Sequence, residues 1–597
     1  MADGEIDIRD RLPNFRMSRR LFLGAMAGTF AASLLAACGG DGDDDDDDVD
    51  PTNTTGTSGQ TATEAPDAEP TEADAEDTPE GDDEEDDEDV RGVDVREFDN
   101  PEPGTPQGSK PEELIMAWGT TQFTTHGIDP QLHVGTIAET QLRHIYEPLV
   151  KFERDLTTIS PCLATAWERL DELTVQFQLR EGVSFHNGEP FNAEAVAYSV
   201  MRPLSDETPG DARSTYSIIE SVEVVDDLTV NVITSSPDPA LLARMTGFHM
   251  VIVAPEWASQ GVEVVSTEAV GTGPYKFVSW SPNEDLVVEA NEEYWDGAPS
   301  IKKVRMTTIV EQATRVAALR AGDVHVAKDM PPEELDAITA SGRARAVRSV
   351  SNRVPFYFIT TEVEPYDNPL VRQAINYAAN VDGVIEAIVL GNANRVSTII
   401  GPWIFGFDPT LEPYPHDPER AKELLAEAGY PDGIDIQIWH IQGRYPKDKE
   451  VAEAMAQEMA KANIRCTPEL REAATLTELQ MAKETPGLIF ASWGNWFFDA
   501  DNSFVPLFGC EQAAAFGDWR RPYGCNQELE DVLQAARVEL DVEARRELYA
   551  EAQRILYEDA GALFMYQLVD MFGVDNWVKW EPRHDEMMWA HEMEWNE

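Results

Sequence analysis

Lysine is scarce in this chain of 597 residues, which has 12 lysines and 34 arginines against 111 acidic residues. The formal net charge is −65 at pH 7. Proteins that bind nucleic acid neutralise phosphates with clustered lysine and arginine. The composition therefore excludes nucleic acid as a partner.

Cysteine is also rare, with Cys38, Cys162, Cys466, Cys510 and Cys525 as the five occurrences. No spacing of cysteine and histidine matches a metal site, so we expect no metal and no cofactor. Cys510 and Cys525 flank a loop rich in glycine and aromatic residues, which favours a disulfide in an oxidising compartment. Cys162 and Cys466 are interpreted as small buried residues.

Catalytic signatures are absent from the sequence. It contains no Gly-x-Ser-x-Gly turn, no His-Glu-x-x-His helix and no phosphate-binding loop. We therefore expect a protein that is not an enzyme. A secreted hydrolase with a site that no motif reveals is the alternative class.

Long apolar runs are missing too, and the main apolar stretch is Leu21 to Ala37. It is too short and too rich in alanine and glycine for a comfortable membrane span. Arg19-Arg20 precede it, as in a twin-arginine signal, and small residues lead to Cys38. We predict a signal peptide at 1–37 and a lipid on Cys38, which would anchor the chain in the periplasm or on the outer face of the cytoplasmic membrane. An uncleaved anchor with an incidental cysteine is the alternative.

Residues 38–110 are rich in Asp, Glu, Thr, Pro and Gly and have no apolar face. Such a segment cannot bury enough surface to offset the entropy lost on ordering. We predict an acidic, disordered tether.

The acidic, lysine-poor composition is typical of proteins that work at high salt, where screening weakens self-repulsion. We expect the folded part to unfold on dilution into low-salt buffer, followed by circular dichroism. Full stability in low salt would contradict this hypothesis.

From about Glu113 onward, strand and helix patterns alternate. Leu173, Val175, Phe177 and Leu179 alternate with polar residues, as in a half-buried strand. The same alternation recurs at 228–232 and 434–438. Helices are predicted from Asp417-Pro418 to Gly429, from Asp448, and from Val542 to Leu556. These patterns predict an α/β protein with more than one lobe.

Several longer motifs follow one another along this part of the chain. The first is Tyr146-Glu147-Pro148-Leu149-Val150, followed by Pro161-x-Leu163-Ala164-x-x-Trp167. The others lie at 177–193, 271–277, 291–295, 371–378, 417–430 and 529–559. In content and in order, these motifs resemble family 5 of the extracellular solute-binding proteins, which are oligopeptide, dipeptide and nickel receptors of ABC importers.

The resemblance implies an α/β, two-lobe clamp of the periplasmic-binding-protein class II type, with an extra subdomain on lobe one. Its implied bounds are 111–145, 266–350 and 561–597 for lobe one, 146–265 for the subdomain, and 351–560 for lobe two. A ligand trapped between the lobes would be screened from water.

The implied binding segment is 489–502, where an apolar run meets aromatic and acidic residues. Peptide receptors of the family usually place an aspartate for the ligand ammonium where this chain has Trp496-Phe497. Asp499 is the candidate substitute. Trp493 and Trp496 suggest stacking against a sugar, a ring or an organic cation. For Trp493, packing of the loop against lobe two is the alternative.

Two further candidates lie elsewhere in lobe two. Arg444 offers a fork for a ligand carboxylate, or else it pairs on the surface with Asp448 or Glu450. Trp403 is a third candidate wall.

The resemblance implies a monomeric receptor that takes up a peptide or similar small molecule. Its partners would be an ABC permease and ATPase subunits, with the membrane reached through the lipid anchor. A sensory or chaperone-like module and a receptor for oligosaccharides or organic cations are the alternatives.

Overall fold

The structure is a computed structural model, and it describes most of the chain from Phe98 onward. The described residues are 98–597 except 121–126, 133–134, 206–207, 209–214, 442–446, 473–474, 477, 480–483, 486 and 511–522. The predicted signal peptide, Cys38 and most of the predicted tether lie outside them. No helix among the described residues is long and apolar enough to cross a membrane.

Strands and helices alternate along the described chain. The strands are β1 Leu114–Trp118, β2 Val150–Phe152, β3 Ile159–Pro161, β4 Ala164–Arg169, β5 Thr174–Leu179, β6 Ile219–Asp226, β7 Thr229–Thr234, β8 Tyr275–Trp280, β9 Asp285–Ala290, β10 Lys303–Thr308, β11 Val326–Ala327, β12 Ala344–Val350, β13 Arg353–Ile359, β14 Ala393–Arg395, β15 Ile434–Ile441, β16 Ile464–Arg471, β17 Leu488–Gly494, β18 Ala562–Phe564, β19 Tyr566–Asp575, β20 Val578–Lys579 and β21 Glu594–Trp595.

The helices follow the same numbering along the chain. They are α1 Thr136–Leu142, α2 Ala193–Met201, α3 Leu241–Arg244, α4 Pro255–Ala258, α5 Val262–Val265, α6 Gln312–Ala321, α7 Leu335–Ala340, α8 Pro369–Ala378, α9 Val381–Ala387, α10 Pro418–Glu427, α11 Asp448–Ala460, α12 Asp501–Phe508, α13 Gln527–Val538 and α14 Val542–Glu558.

The predicted elements are confirmed. Alternating positions of β5 are buried and partly or fully exposed, as the pattern required. Asp417 accepts a hydrogen bond from the Arg420 amide and so caps α10, whose first residue is a proline. Asp541 caps α14 in the same way.

Three sheets organise the molecule. Lobe one is built on the eight-stranded sheet β12-β19-β11-β1-β10-β9-β8, with β14 paired to β19. The subdomain is the four-stranded sheet β4-β5-β7-β6, and lobe two is the five-stranded sheet β16-β15-β17-β13-β18. The chain passes from lobe one to lobe two between β12 and β13, and it returns between β18 and β19.

The sheet pairing places two segments differently from the predicted lobe bounds. β18 follows residue 561, yet it pairs with β13 in lobe two. β14 lies within 351–560, yet it pairs with β19 in lobe one. Both strands lie next to the segment in which the chain returns to lobe one. The sequence motifs do not indicate which sheet either strand joins.

Lobe two is buried on both faces of its sheet. Along β13, Tyr357 packs into one core cluster, while Phe356 and Phe358 pack into the cluster on the other face. Successive strand residues point to opposite faces, so a strand covered on both sides is a continuous apolar run. The rigid sheet carries β17, which ends at the candidate binding loop.

Candidate functional site

A cleft lies between lobe two and the facing surface of lobe one and the subdomain. Its empty space, including the part open to solvent, is about 500 Å³. Lobe two contributes Asn352, Gly494, Trp496 and Phe498. The facing side is lined by Thr136, Glu139, Arg143, Lys151, Phe152, Thr246, Phe248, Arg583, Asp585, Met587 and Trp589. Aromatic walls therefore come from both sides.

The loop after β17 is held by its own side chains. Asn495 donates from Nδ2 to the Asp499 carbonyl at 2.6 Å and to Ser503 Oγ at 3.0 Å. The Trp496 amide donates to Asn502 Oδ1 at 3.2 Å. These bonds fix the direction in which the Trp496 side chain leaves the loop.

Trp496 lines the cleft, and its contact with a ligand stays a prediction. Its ring centroid lies 5.7 Å from that of Phe248 on the subdomain and 5.4 Å from that of Trp493. Its indole Nε1 is buried with no hydrogen-bond partner among the described residues, and the same is true of Trp589 Nε1. Two residues that line one cleft therefore each have an indole N–H without a protein partner in the described part of the chain.

Trp493 supports the loop more than it faces the cleft. Its Nε1 donates to the Asn502 carbonyl at 2.9 Å. It lines a separate, smaller cavity together with Arg244 and Arg537. The geometry of Trp493 therefore fits the alternative, in which it packs the loop against lobe two, better than a position in the cleft wall.

Trp403 is not among the residues that line the cleft. Only 4% of its surface is exposed. Its ring stacks on His584 at 4.3 Å between centroids. Its contacts join lobe two to the C-terminal segment, so its place is a packed junction.

Asp499 is buried inside lobe two, which departs from the hypothesis that it meets a ligand ammonium. Arg545 on α14 donates to both of its carboxylate oxygens, at 2.6 and 2.7 Å. Only 4–5% of either side chain is exposed. A carboxylate that already has a buried bidentate partner cannot also neutralise a ligand without breaking that pair.

Asp501 at the start of α12 links lobe two to the subdomain. Arg244 on α3 donates to Asp501 Oδ2, and its Nε donates to Asp238 at 2.9 Å. Arg537 lies 3.4 Å from the other Asp501 oxygen. Burial raises the pKa of Asp501, but the charges of Arg244, Arg537 and Arg545 outweigh it and hold that pKa below its usual value. This ion pair therefore joins two parts of the molecule that line opposite sides of the cleft.

Glu139 on α1 is a cleft residue that the sequence did not single out. Arg143, one turn later, donates to Glu139 Oε1 at 3.0 and 3.2 Å. The other oxygen, Oε2, is buried without a hydrogen-bond partner among the described residues. Burial raises the pKa of Glu139 to about 8 against the opposing charge of Arg143. A pair of residues four apart on a helix was the only available signal, and such pairs are common on any helix.

The remaining predicted residues are placed as follows. Arg444 and Cys38 lie outside the described residues. Cys510 and Cys525 are joined in a disulfide. Cys162 is buried and Cys466 is half-buried, both as free thiols.

Histidine, cysteine and carboxylate side chains do not gather into a metal centre in the described part of the chain, where no group of three is close enough to hold an ion. His186, for example, shares a hydrogen bond of 2.9 Å with the Gly273 carbonyl. It therefore ties the turn after β5 to the segment before β8.

A family profile decides the identity of this two-lobe arrangement. The profile described as bacterial extracellular solute-binding proteins, family 5 Middle, matches residues 158–515. The chain belongs to this family.

Relatives and solved structures agree with the family assignment. The chain is 30% identical to heme-binding protein A of Haemophilus influenzae over 410 residues, 64% of this chain and 75% of that one. It is 30% identical to the glutathione-binding protein GsiB of Pectobacterium atrosepticum over 405 residues, 66% and 77% of the two chains. The periplasmic binding protein DppA of Helicobacter pylori, in complex with the peptide STSA, has 27% identity and a TM-score of 0.69. That match covers 81% of this chain and 98% of DppA.

The family 5 membership confirms the predicted fold class, an α/β two-lobe clamp, and it confirms a binding protein that is not an enzyme. Extracytoplasmic solute-binding receptors of ABC import are the functional class that follows. The cleft lies between the lobes, where a clamp of this kind traps its ligand.

Proposed function

We propose that this protein binds a peptide or a similar small organic solute in the cleft and delivers it to the permease of an ABC importer. ATPase subunits would drive the transport, and the receptor would act as a monomer. The names of two of its relatives support the choice of ligand, since one binds glutathione and the other is in complex with a short peptide.

One observation carries the proposal: the cleft combines aromatic walls with polar groups that lack protein partners. Glu139 Oε2, Trp496 Nε1 and Trp589 Nε1 have no hydrogen-bond partner among the described residues. Lys151 lines the same cleft. Buried polar groups normally have partners. A solute with apolar and polar parts, such as a peptide, would supply them.

The lipid anchor and the tether complete the proposal. Lipidation at Cys38 would hold the receptor at the membrane, and residues 39–110 would give it reach. The small residues before Cys38 and the acidic composition after it support this arrangement. Mass spectrometry of the mature N-terminal peptide tests it, since an unmodified Cys38 would contradict the anchor.

We expect Trp496→Ala to weaken binding of a co-purified or screened peptide by about tenfold or more, because a well-buried aromatic contact contributes about 1–3 kcal/mol. The melting temperature of the empty protein should fall by only a few degrees, since Trp496 is half-buried. Isothermal titration calorimetry and differential scanning fluorimetry measure the two effects.

Trp280→Ala is the matched control. Trp280 is also half-buried, but it lies on β8 and does not line the cleft. Its replacement should leave the affinity unchanged. Equal affinity of the Trp496 variant and the wild type would remove the cleft loop from the binding site.

A further inference from the structure

Two carboxylates line the cleft, and only one has an open oxygen. Asp585 accepts hydrogen bonds from Arg583 at 2.8 Å and from the Met587 amide at 3.0 Å. Glu139 uses Oε1 for Arg143, whereas Oε2 has no partner among the described residues. The Glu139 side chain is only 7% exposed.

The neighbouring carboxylates of lobe two are also occupied. Asp499 is bound by Arg545 and Asp501 by Arg244. Neither of them lines the cleft. Among these four carboxylates, Glu139 Oε2 is therefore the oxygen that has no hydrogen-bond partner in the described part of the chain.

We propose that Glu139 binds a protonated amine of the solute and so selects solutes that carry a primary ammonium group. This inference rests on the proposed function, since it names the part of the solute that the same cleft recognises. The ammonium donates to Oε2, while Arg143 keeps Oε1 in place. An ammonium is a compact donor and fits a single open carboxylate oxygen.

The surroundings of Glu139 make this selection sensitive to pH. Burial raises the pKa of Glu139 to about 8, Arg143 opposes the rise and Asp585 adds to it. Arg583 and Lys151 also line the cleft. Burial raises the pKa of the nearby Tyr216 hydroxyl, and the charge of Glu139 adds to that rise. At pH 7 the carboxyl of the empty protein is thus mostly protonated. Binding of an ammonium favours the ionised form, so the proton leaves to the buffer.

The sign of the pH dependence follows from that proton. Below the raised pKa, ionising Glu139 costs more at each lower pH. The affinity for an amine-bearing solute should therefore rise severalfold to nearly tenfold per pH unit between pH 5.5 and 7. Glu139→Gln cannot ionise, so its affinity should be lower and nearly flat with pH.

The test uses two sets of probes with the full-length protein: free-amine dipeptides and tripeptides, and the same peptides with an acetylated amino group. Differential scanning fluorimetry selects binders, and calorimetry at several pH values and in two buffers measures affinity and proton release. We expect free-amine peptides to bind wild type at least tenfold more tightly than their acetylated forms. E139Q should lose at least tenfold in affinity and lose the proton release.

Glu194→Gln is the matched control, since Glu194 is an exposed glutamate in the first turn of α2. It should bind as wild type does. If wild type binds acetylated and free peptides equally, or if E139Q keeps its affinity and proton release, the assignment of Glu139 is overturned while peptide binding stands. If neither set of peptides binds wild type, the proposed function fails, and the assignment that rests on it fails too.

Discussion

Replacing Arg545 with alanine should lower the free energy of unfolding by about 3–5 kcal/mol, because it leaves the Asp499 carboxylate buried without a partner. Arg545 also lies over the Phe405 ring at 4.7 Å, so packing is lost with the charge. Urea unfolding followed by circular dichroism measures the change.

The next residue in the chain provides the control. Arg546 is 42% exposed in its side chain, and its nearest acidic group, Glu543, is 3.9 Å away. Exposed pairs of this kind contribute about 0–1 kcal/mol. Arg546→Ala should therefore change the stability by less than about 1 kcal/mol. Equal losses in the two variants would show that the Asp499 pair is not a buried anchor of lobe two.

Asp501→Asn should weaken binding of any solute that closes the cleft, on the order of tenfold or more. The substitution keeps the shape of the side chain but removes the charge that meets Arg244 of the subdomain. Truncating one member of a buried charge pair typically costs 2–5 kcal/mol, and each 1.4 kcal/mol is tenfold in affinity. Calorimetry with a peptide found in the screen measures the loss of affinity. A kinetic binding measurement should show that the loss lies mainly in a faster dissociation rate.

Asp531→Asn is its control, because Asp531 is exposed on α13 and bonds only to Gln527 among the described residues. Its affinity should match that of wild type. If Asp501→Asn also binds as wild type does, the ion pair between lobe two and the subdomain does not hold the clamp closed.

Local patterns were sufficient to predict the strands, helices and caps. The alternation at 173–179 and the Asp417-Pro418 start of α10 depend only on residues that are neighbours in the chain, and both are present as predicted. The order of the family motifs was sufficient for the two-lobe fold. Trp496 was predicted as a binding residue because the family resemblance places the loop after this strand at the cleft, and Trp496 is among the residues that line it.

Partners that lie far apart in the chain could not be predicted in the same way. Asp499 meets Arg545, 46 positions later, and Asp501 meets Arg244, 257 positions earlier. In the sequence Asp499 is an acidic residue beside aromatics, a pattern that predicts a carboxylate available to a ligand. Glu139 is the opposite case. Its Oε2 atom has no hydrogen-bond donor nearby among the described residues, and a local sequence pattern does not show which distant groups lie near a side chain.

A diffraction experiment on the protein purified with its natural solute tests the central claim most directly. The account predicts electron density between the lobes, with one part of the solute against Trp496 of lobe two and a nitrogen within hydrogen-bond distance of Glu139 Oε2. Density confined to the groove lined by Asp99, Arg348 and Trp580, outside the cleft, would contradict it.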